Sequence, residues 1–361
     1  MLGHLGRLLK LLDVARDLWR EEMESPNRLR HAFLWRHGFV SDRYELYGLQ
    51  HNDRRQYVSD VQRIVQGRRI NHPCTIPICA NKYLFHKVMQ SRFAASLPSL
   101  HGVVIRGKIY WEQSDGPSSA SDCVLDEMLD GQLGLVAKPI KGGGGKGLHV
   151  LRRTSVGLEH NGRATTAERA RSLLHGLDGY LLEEHLQQEA YAQAIFPGST
   201  NTLRVPMMRD ETLGEAFIPI AVHRFGNVQS VPTDNFSQGG FSCEVDLDTG
   251  VLGPGGALDD AGKLVWHDSH PATGAPIKGV VVPHWQATKD LLAAVSDALP
   301  FLFYVGWDIV VTADGPKLIE GNHYMNPRVL QIHRPLLADA RVPAFYARLG
   351  ARSRTGARKQ S

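Results

Sequence analysis

The sequence of 361 residues has few cysteines and lacks long apolar runs. Its four cysteines are Cys74, Cys79, Cys123 and Cys243. They are too few for a disulfide framework in a chain of this length, and too scattered for a C-x-x-C zinc half-site. No stretch approaches the roughly 18 consecutive apolar residues of a spanning helix, and the first residues lack the uninterrupted apolar region of a secretory signal. We therefore expect reduced thiols, no transmembrane segment and a cytoplasmic location.

The chain also lacks a strong excess of either charge. Lys and Arg number 41, Asp and Glu number 37, and the net charge of +4 is not gathered into a continuous basic stripe. We expect no nucleic-acid partner, because such partners are bound by clustered Lys and Arg. The hydrophobic fraction of 42% and the charged fraction of 22% are ordinary for a folded globular protein. The length is sufficient for two or three structural units.

Helical spacing dominates the first 70 residues. Residues 2–23 place leucines such as Leu5, Leu8 and Leu12 three or four positions apart, which predicts an amphipathic helix. Such a helix either lies on a membrane surface or docks on the body of the protein, and the acidic residues on its polar face favour docking. Residues 28–66 continue the helical spacing. We therefore assign 1–70 to a helical N-terminal region.

After Pro98 the pattern changes to short β-branched runs bounded by Gly and Pro. Strands are predicted at Val103–Tyr110, Leu133–Ile140, Leu148–Arg153, Tyr180–Glu184, Thr202–Met208, Ala216–Phe225, Phe301–Val311 and Lys317–Glu320. Helices are predicted at Asn81–Phe93, Ala167–Leu174 and Trp285–Ala298. This mixture indicates an α+β or mixed α/β fold. The last segment, 348–361, is basic and contains no acidic residue, and we expect a disordered tail there.

A glycine- and lysine-rich segment runs from Lys138 to Gly147 with the sequence KPIKGGGGKG. Four consecutive glycines let backbone N–H groups converge on an anion, and Lys138, Lys141 and Lys146 add positive charge beside them. Phosphate is the expected ligand. Both flanking runs have strand character, so the segment is predicted to be a strand–loop–strand hairpin that closes over nucleotide phosphates. A flexible surface linker is the alternative.

Three other phosphate-binding motifs do not fit this segment. The glycine pattern of a dinucleotide fold, met by Gly142, Gly144 and Gly147, requires a following helix, whereas His149 begins a predicted strand. A Walker A loop requires Ser or Thr after its lysine, but Gly147 follows Lys146. A protein kinase requires H-R-D and D-F-G strings, and the sequence contains neither.

Two acids stand on either side of a predicted hairpin turn near the C-terminus. Asp314-Gly315 is a strong turn signal between two apolar strands, so folding back about it brings Asp308 opposite or nearly opposite Glu320. Two carboxylates this close repel each other unless a cation lies between them. Period-two alternation puts Asn322 on the same face, and such oxygen ligands suit Mg²⁺ rather than zinc. A solvated hairpin edge is the alternative, but the apolar residues around the acids argue against it.

These motifs together resemble the ATP-grasp superfamily, most closely its sugar-transfer-associated and α-L-glutamate-ligase-like members. The glycine hairpin, the strand LLEEHL at 181–186 and the GWD…IEGN hairpin at 306–322 occur in the family's order. The resemblance covers residues 71–345. It implies a nucleotide held between two α+β subdomains, which we place at 71–185 with the glycine-loop lid and at 186–347 with the catalytic residues.

The resemblance also implies a role for each matching residue. The nucleotide-binding positions are Lys82, Lys138, Lys141, Gly143, Gly144, Gly145, Lys146, Glu183, Glu184, Leu186 and Glu189. The metal ligands are Asp308, Glu320 and Asn322, which would hold one or two Mg²⁺ or Mn²⁺ ions beside ATP. Arg204 and Lys138 act on the transferring phosphoryl group, and Arg328 is either a carboxylate clamp or part of a structural ion pair. The expected substrate contacts are Asn201, Asn235, Gly239 and Gly240.

The activity that the resemblance implies is that of an ATP-dependent carboxylate–amine ligase. A small-molecule carboxylate is phosphorylated by ATP, and a small-molecule amine then displaces phosphate from the acyl phosphate. A kinase on the same scaffold is one alternative, and a non-catalytic nucleotide-binding protein is another. The second alternative is less favoured, since binding ATP alone does not require the full set of Arg204, Asp308, Glu320 and Asn322.

Overall fold

The computed structural model describes residues 2–25, 28–112, 134–210 and 214–355, with the backbone only for 2–11 and 349–355. In these residues two antiparallel β-sheets are surrounded by helices, which confirms the expected mixed class. Cys123 and the predicted start of one strand at Leu133 lie outside the described residues.

The helices and strands follow the chain in this order. The α-helices of the described residues are α1 Leu2–Glu24, α2 Arg43–Leu46, α3 Asp60–Val65, α4 Ile76–Ala80, α5 Lys82–Phe93, α6 Ala167–His175, α7 Ala190–Ile195, α8 Trp285–Ala298, α9 Arg328–Gln331 and α10 Arg341–Thr355. The strands are β1 Leu100–Ile105, β2 Lys108–Trp111, β3 Leu135–Pro139, β4 His149–Thr154, β5 Gly157–His160, β6 Arg163–Ala164, β7 Tyr180–Glu184, β8 Thr202–Arg209, β9 Ala216–Phe217, β10 Ala221–Phe225, β11 Phe241–Val245, β12 Leu252–Leu258, β13 Leu264–His267, β14 Tyr304–Thr312 and β15 Gly315–Asn322.

The N-terminal region is helical, as predicted, but its helices are short after α1. Gly38 and Gly48 separate them, because their positive φ angles of 81° and 57° interrupt helical geometry. Buried hydrogen bonds join this region to the C-terminal part of the chain. The Gln331 side chain accepts from the Val58 N–H at 2.8 Å and donates to the Val58 carbonyl at 3.1 Å. The domain boundary at residue 70 stays a prediction.

The first sheet has seven strands in the order β2-β1-β7-β3-β4-β5-β6. The run 103–110, predicted as one strand, is instead the hairpin of β1 and β2. Arg106 and Gly107 turn the chain there with positive φ angles of 52° and 74°. β3 and β4 flank the glycine loop and pair antiparallel, as predicted. Ala170 and Leu174 of α6 pack into the core of this sheet.

The second sheet has eight strands in the order β13-β12-β11-β10-β8-β14-β15, with β9 beside β8. The run 216–225, predicted as one strand, divides into β9 and β10 around Pro219, whose nitrogen cannot donate to a ladder. The sequence pattern does not reveal β12, because its three glycines break the apolar alternation. Phe85 of α5 and Leu292 of α8 belong to the core against this sheet.

β14 and β15 form the hairpin predicted from the Asp314-Gly315 turn. Thr312 pairs with Gly315 beside the turn, and Asp308 lies opposite Glu320 in the ladder. On its other side β14 pairs with β8, which places Arg204 beside Asp308. All nine residues of β14 are buried. Asp308 is therefore held on a buried strand inside the sheet, whereas Glu320 and Asn322 lie on β15 at its edge.

The last helix, α10, continues to Thr355, so the disorder expected from residue 348 does not begin there. Ala351, Arg352 and Arg354 are good helix formers, which favours extension of the helix beyond its buried residue Tyr346. Residues 356–361 lie outside the described part of the chain. No helix within the described ranges has both the length and the apolar character needed to cross a bilayer.

Candidate functional site

A cavity of about 470 Å³ lies between the two sheets. Its walls come from β3 and β7 of the first sheet and from β8, β10, β14 and β15 of the second. The glycine loop between β3 and β4 also borders it. Most of the predicted site residues line this cavity: Lys82, Lys138, Gly143, Gly144, Gly145, Lys146, Glu183, Glu184, Leu186, Arg204, Asn235, Asp308, Glu320, Asn322 and Arg328.

Five predicted site residues do not line the cavity: Lys141, Glu189, Asn201, Gly239 and Gly240. Asn201 is buried, and its amide donates to the carbonyls of Ala192 and Phe196 at 3.1 and 2.8 Å. The Asn201 amide is therefore engaged in hydrogen bonds to the backbone inside the protein. Gly239 ends a turn with a φ of 98°, a geometry that favours glycine for a structural reason.

Lys138 connects the two walls of the cavity. It is nearly buried on β3, and its Nζ lies 2.5 Å from Glu183 Oε2 on β7. The same Nζ donates to the carbonyl of Ile319 on β15 at 3.1 Å. A phosphate group in the cavity would meet an ammonium group that is already desolvated and fixed in place.

Lys82 reaches the cavity from the first position of α5. The preceding Asn81 caps this helix, since its side chain accepts from the Leu84 N–H at 3.0 Å. Lys82 Nζ donates to the Gly142 carbonyl at 2.8 Å and lies 3.5 Å from Glu320 Oε2. The helix start therefore places one lysine between the glycine loop and the acidic hairpin.

The glycine loop closes against the second sheet. Gly142, Gly144 and Gly145 have positive φ angles of 118°, 70° and 70°. The Gly144 carbonyl accepts from Asn235 Nδ2 at 3.1 Å. A Cβ on Gly145 would lie only 2.5 Å from Thr233 Cγ2. The loop thus needs glycine both for its backbone angles and for its close approach to the opposite wall.

Asp308 is a buried carboxylate held between two arginines. Nη2 of Arg204 lies 2.8 Å from Asp308 Oδ2, and Nη2 of Arg224 on β10 lies 3.2 Å from the same oxygen. Burial by itself would raise the pKa of Asp308, but the two guanidinium groups lower it below its ordinary value. Asp308 is therefore ionised at neutral pH, and it fixes two cations that face the cavity.

Glu320 is in the opposite electrostatic situation. Burial raises its pKa, repulsion from Asp308 raises it further, and Lys82 only partly opposes both effects. Asn322 Nδ2 donates to Glu320 Oε1 at 3.2 Å. The three predicted metal ligands are thus brought together on one wall.

The donor set of this wall fits a small hard cation. A divalent ion would relieve the repulsion that raises the Glu320 pKa. Within the described ranges, no group of three or more His, Cys, Asp or Glu side chains is arranged to hold a metal. A cation here would therefore bind to two carboxylates and the Asn322 amide, with water or phosphate oxygens completing its shell, which is the pattern of Mg²⁺.

Arg328 lines the end of the cavity next to the N-terminal region. Its Nη2 lies 2.9 Å from Asp42 Oδ2, and its guanidinium carbon lies 5.7 Å from the centre of the Phe236 ring. Its Nε is buried and has no hydrogen-bond partner among the described residues. Arg328 therefore forms an ion pair and also borders the cavity, and its role as a carboxylate clamp stays a prediction.

The sequence argument missed Arg224, Asp234 and Asp42. Asp234 Oδ2 accepts from the Thr202 N–H at 2.9 Å and lies 3.4 Å from Nε of Arg224. A signal for Arg224 existed, because it is a permanently charged residue in an otherwise largely apolar five-residue strand. Asp42 carried no such signal, since its partner Arg328 lies at the other end of the chain.

Comparison with known families gives one match. A family model described as sugar-transfer associated ATP-grasp matches residues 63–338. This span is more than half of the chain and contains all the residues that line the cavity. No curated protein matches the chain.

Several solved structures are similar to parts of the chain at low identity. An L-amino acid ligase from Bacillus licheniformis has 10% identity over 71% of this chain and 43% of its own, with a TM-score of 0.36. N5-carboxyaminoimidazole ribonucleotide synthetase from Thermotoga maritima has 14% identity over 73% of this chain and 50% of its own, with a TM-score of 0.36. D-alanine–D-alanine ligase from Bacillus anthracis has 14% identity over 81% of this chain and 76% of its own, with a TM-score of 0.38. The chain spans about half the length of the first two proteins.

Proposed function

The chain belongs to the sugar-transfer-associated ATP-grasp family, and from this premise we propose that it is an ADP-forming carboxylate–amine ligase. In the proposed reaction an oxygen of a substrate carboxylate attacks the γ-phosphorus of ATP, and the bond to ADP breaks. The nitrogen of an amine then attacks the acyl carbon, inorganic phosphate leaves, and the nitrogen loses a proton. The carboxylate and the amine are both small molecules.

ATP is proposed to lie between the two sheets. Glu183, Glu184 and Leu186 border the end of the cavity assigned to adenine and ribose. The phosphates are assigned to the space under the glycine loop, where Lys82 and Lys138 supply positive charge. A mobile glycine loop that closes there would exclude water from the acyl phosphate, and its contacts with Thr233 and Asn235 support this role.

Asp308, Glu320 and Asn322 are the residues proposed to hold Mg²⁺, with Mn²⁺ as a substitute. Bound there, the ion would neutralise negative charge on the phosphates. The protein residues do the positioning. The ammonium group of Lys82 contacts both the Glu320 carboxylate and the Gly142 carbonyl of the glycine loop, so this lysine holds the loop near the proposed ion.

The two arginines are proposed to stabilise the transferring phosphoryl group. Arg204 and Arg224 are both fixed by Asp308 and both border the cavity. Their planar guanidinium groups can donate in pairs to phosphoryl oxygens, and because Asp308 already orients them, little reorganisation is needed during the reaction.

Arg328 is proposed to receive the substrate carboxylate. It lies at the cavity end beside the N-terminal region, where Asp42 and Phe236 hold its guanidinium group. The observation that carries the whole proposal is the buried Arg204–Asp308–Arg224 arrangement that lies beside Glu320 on the same wall of the cavity. The cytoplasm is the proposed location, supported by free thiols at Cys74, Cys79 and Cys243.

The test is an ADP- and phosphate-release assay on the purified full chain. ATP and Mg²⁺ are supplied with a pool of carboxylic acids, with a pool of amines, or with both. The ligase proposal expects ADP and inorganic phosphate in equal amounts, with full turnover only when both pools are present. ADP with a stable phosphorylated product and no free phosphate would instead identify a kinase. ATP binding without turnover in any pool would identify a non-catalytic nucleotide-binding protein.

A further inference from the structure

The helix α1 has its acidic and apolar residues arranged in an unusual way. Two of its acids point into the protein: Asp17 is 4% exposed, and Glu22 is fully buried. Asp17 forms an ion pair with Arg68, and Glu22 accepts from the Trp35 indole N–H at 3.0 Å and the Ser41 N–H at 2.8 Å. These contacts anchor the helix through polar groups rather than through its apolar stripe.

An apolar stripe of the same helix faces outward. Leu12 is 58% exposed and Trp19 is 51% exposed, and Ala15 lies between them at helical spacing. Trp35, 41% exposed, extends the stripe, since its ring centre lies 6.0 Å from that of Trp19. These side chains border a groove of about 520 Å³. We call Leu12, Ala15, Trp19 and Trp35 the outer stripe.

The exposed charges around the outer stripe are mainly basic. Arg16 and Arg20 are 74% and 65% exposed at their side chains. Between residues 12 and 36 the exposed charged residues are five arginines, at 16, 20, 28, 30 and 36, and two acids, at 13 and 24, an excess of three positive charges. Toward the start of the helix, the sequence continues the stripe spacing with Leu5 and Leu8, and the charges there are Arg7 and Lys10.

We propose that the outer stripe docks on an anionic lipid bilayer. Tryptophan side chains favour the headgroup region of a bilayer, where an apolar ring and a polar N–H are both accommodated. Arginines beside an apolar stripe add attraction to anionic lipids. A second copy of the chain is a less suitable occupant, because a two-fold contact through this groove would bring Arg16 and Arg20 of both copies together.

The experiment is co-sedimentation of the full chain with lipid vesicles. One set contains phosphatidylglycerol and phosphatidylcholine in about equal amounts, and the other contains phosphatidylcholine alone. We expect the partition coefficient to be at least about tenfold higher for the anionic set, and to fall when salt is raised from about 0.05 M to about 0.5 M. The salt comparison needs no variant, so it holds even if a variant fails to fold.

Two double variants test the stripe itself. Trp19→Ala with Trp35→Ala, and Arg16→Gln with Arg20→Gln, should each lower binding to anionic vesicles by about tenfold. The matched controls are Trp266→Ala, which removes another exposed tryptophan, and Lys263→Gln, which removes an exposed charge in the turn between β12 and β13. Both controls should bind like the unchanged chain.

Three results would overturn the proposal. The first is equal or absent binding to the two vesicle sets. The second is a loss of binding in the Trp266→Ala control as large as in the double variants. The third is a chain that binds no vesicles but dimerises in solution, with the tryptophan double variant monomeric by analytical ultracentrifugation, since the stripe would then be a contact between copies. None of these results depends on ligase activity, so they leave the proposed function untouched.

Discussion

At the scale of single residues, the contrast between Asp308 and Glu320 is the main electrostatic feature of the site. The two carboxyl groups lie opposite each other on one hairpin, yet their pKa values shift in opposite directions. The reason is the position of the cations, because Arg204 and Arg224 both contact Asp308, whereas within the described part of the chain Glu320 forms an ion pair with Lys82 alone, at 3.5 Å. A further cation would therefore stabilise the ionised form of Glu320 more than that of Asp308.

Replacing Glu320 tests this directly. Glu320→Ala should lower turnover at least about 100-fold, because it removes an oxygen ligand from the phosphate end of the site. The midpoint of thermal unfolding should stay the same or rise, since the repulsion from Asp308 is also removed. Steady-state ADP release and a thermal melt measure the two effects.

The matched control for this variant is Glu244→Ala. Glu244 lies in the same sheet, half-buried and paired with Arg334, but it does not line the cavity. It should retain normal turnover. A Glu320→Ala protein with normal turnover would contradict the metal assignment.

A buried histidine should make folding stability depend on pH. His223 is 1% exposed, its Nδ1 donates to the Arg224 carbonyl at 3.1 Å, and its Nε2 accepts from the Tyr191 hydroxyl at 2.7 Å. Burial lowers its pKa from the ordinary 6.5 to about 3. Below pH 6.5 the unfolded chain binds a proton that the folded chain does not, so stability is fully present above pH 6.5 and is lost as the pH falls toward 3.

The expected size of this loss is about 2 kcal/mol between pH 6.5 and pH 5. Urea unfolding at several pH values measures it. His223→Gln should reduce the slope by this amount without abolishing it, because the replacement does not titrate, whereas burial also lowers the pKa of His333 to about 3 and that of His185 to about 4. His51→Gln, at an exposed histidine, should keep the original slope. Identical slopes for His223→Gln and the unchanged chain would contradict the assignment of the buried neutral ring.

At the scale of an element, the glycine loop depends on two different properties of glycine. Gly145 has a φ of 70°, and a Cβ there would overlap Thr233. Gly143 has no positive φ and open space around it. Gly145→Ala should therefore cost about 1–2 kcal/mol in the closed loop, and the kcat/KM for ATP should fall about tenfold.

Gly143→Ala is the internal control for that loop. It should retain most of its activity, because neither the backbone angle nor a neighbouring atom opposes a methyl group at this position. Both variants should have nearly unchanged melting temperatures, since the loop is exposed. Equal loss of activity in the two variants would show that the contact with Thr233 does not matter.

At the scale of the whole molecule, the N-terminal region and the site are joined by the Asp42–Arg328 pair. Both side chains are largely buried, and Asp42 also lies 2.6 Å from Arg43 Nη1. Asp42→Asn would leave Arg328 without a full counter-charge. The free energy of unfolding should fall by about 3 kcal/mol, because breaking a buried pair leaves an uncompensated ion.

Thermal melts of Asp42→Asn and Asp53→Asn provide the comparison. Asp53 forms an exposed pair with Arg55, so its replacement should leave the melting temperature unchanged. A single unfolding transition at lower temperature is expected for Asp42→Asn. Two separate transitions, or no shift, would show that the N-terminal region is not energetically coupled to the site.

The sequence by itself determined the parts of this protein that depend on local spacing. The β3–glycine loop–β4 hairpin and the β14–β15 hairpin follow from turn residues and strand alternation over a few positions. The turn brings Asp308 near Glu320, and a register shift in the ladder between Asp308 and Ile309 then places the two residues directly opposite each other. The mixed fold class, which is confirmed, also follows from local spacing, because helical and strand patterns are both read over a few positions.

Only the tertiary structure decided which distant residues meet. Arg224 joins Asp308 because β10 and β14 both pair with β8, and Asp42 joins Arg328 because the N-terminal region packs against α9. The same packing turned Asp17 and Glu22 of α1 inward and left Trp19 exposed. Local sequence cannot reveal these pairings, since strand order and helix docking are set by burial of the whole apolar surface rather than by neighbouring residues.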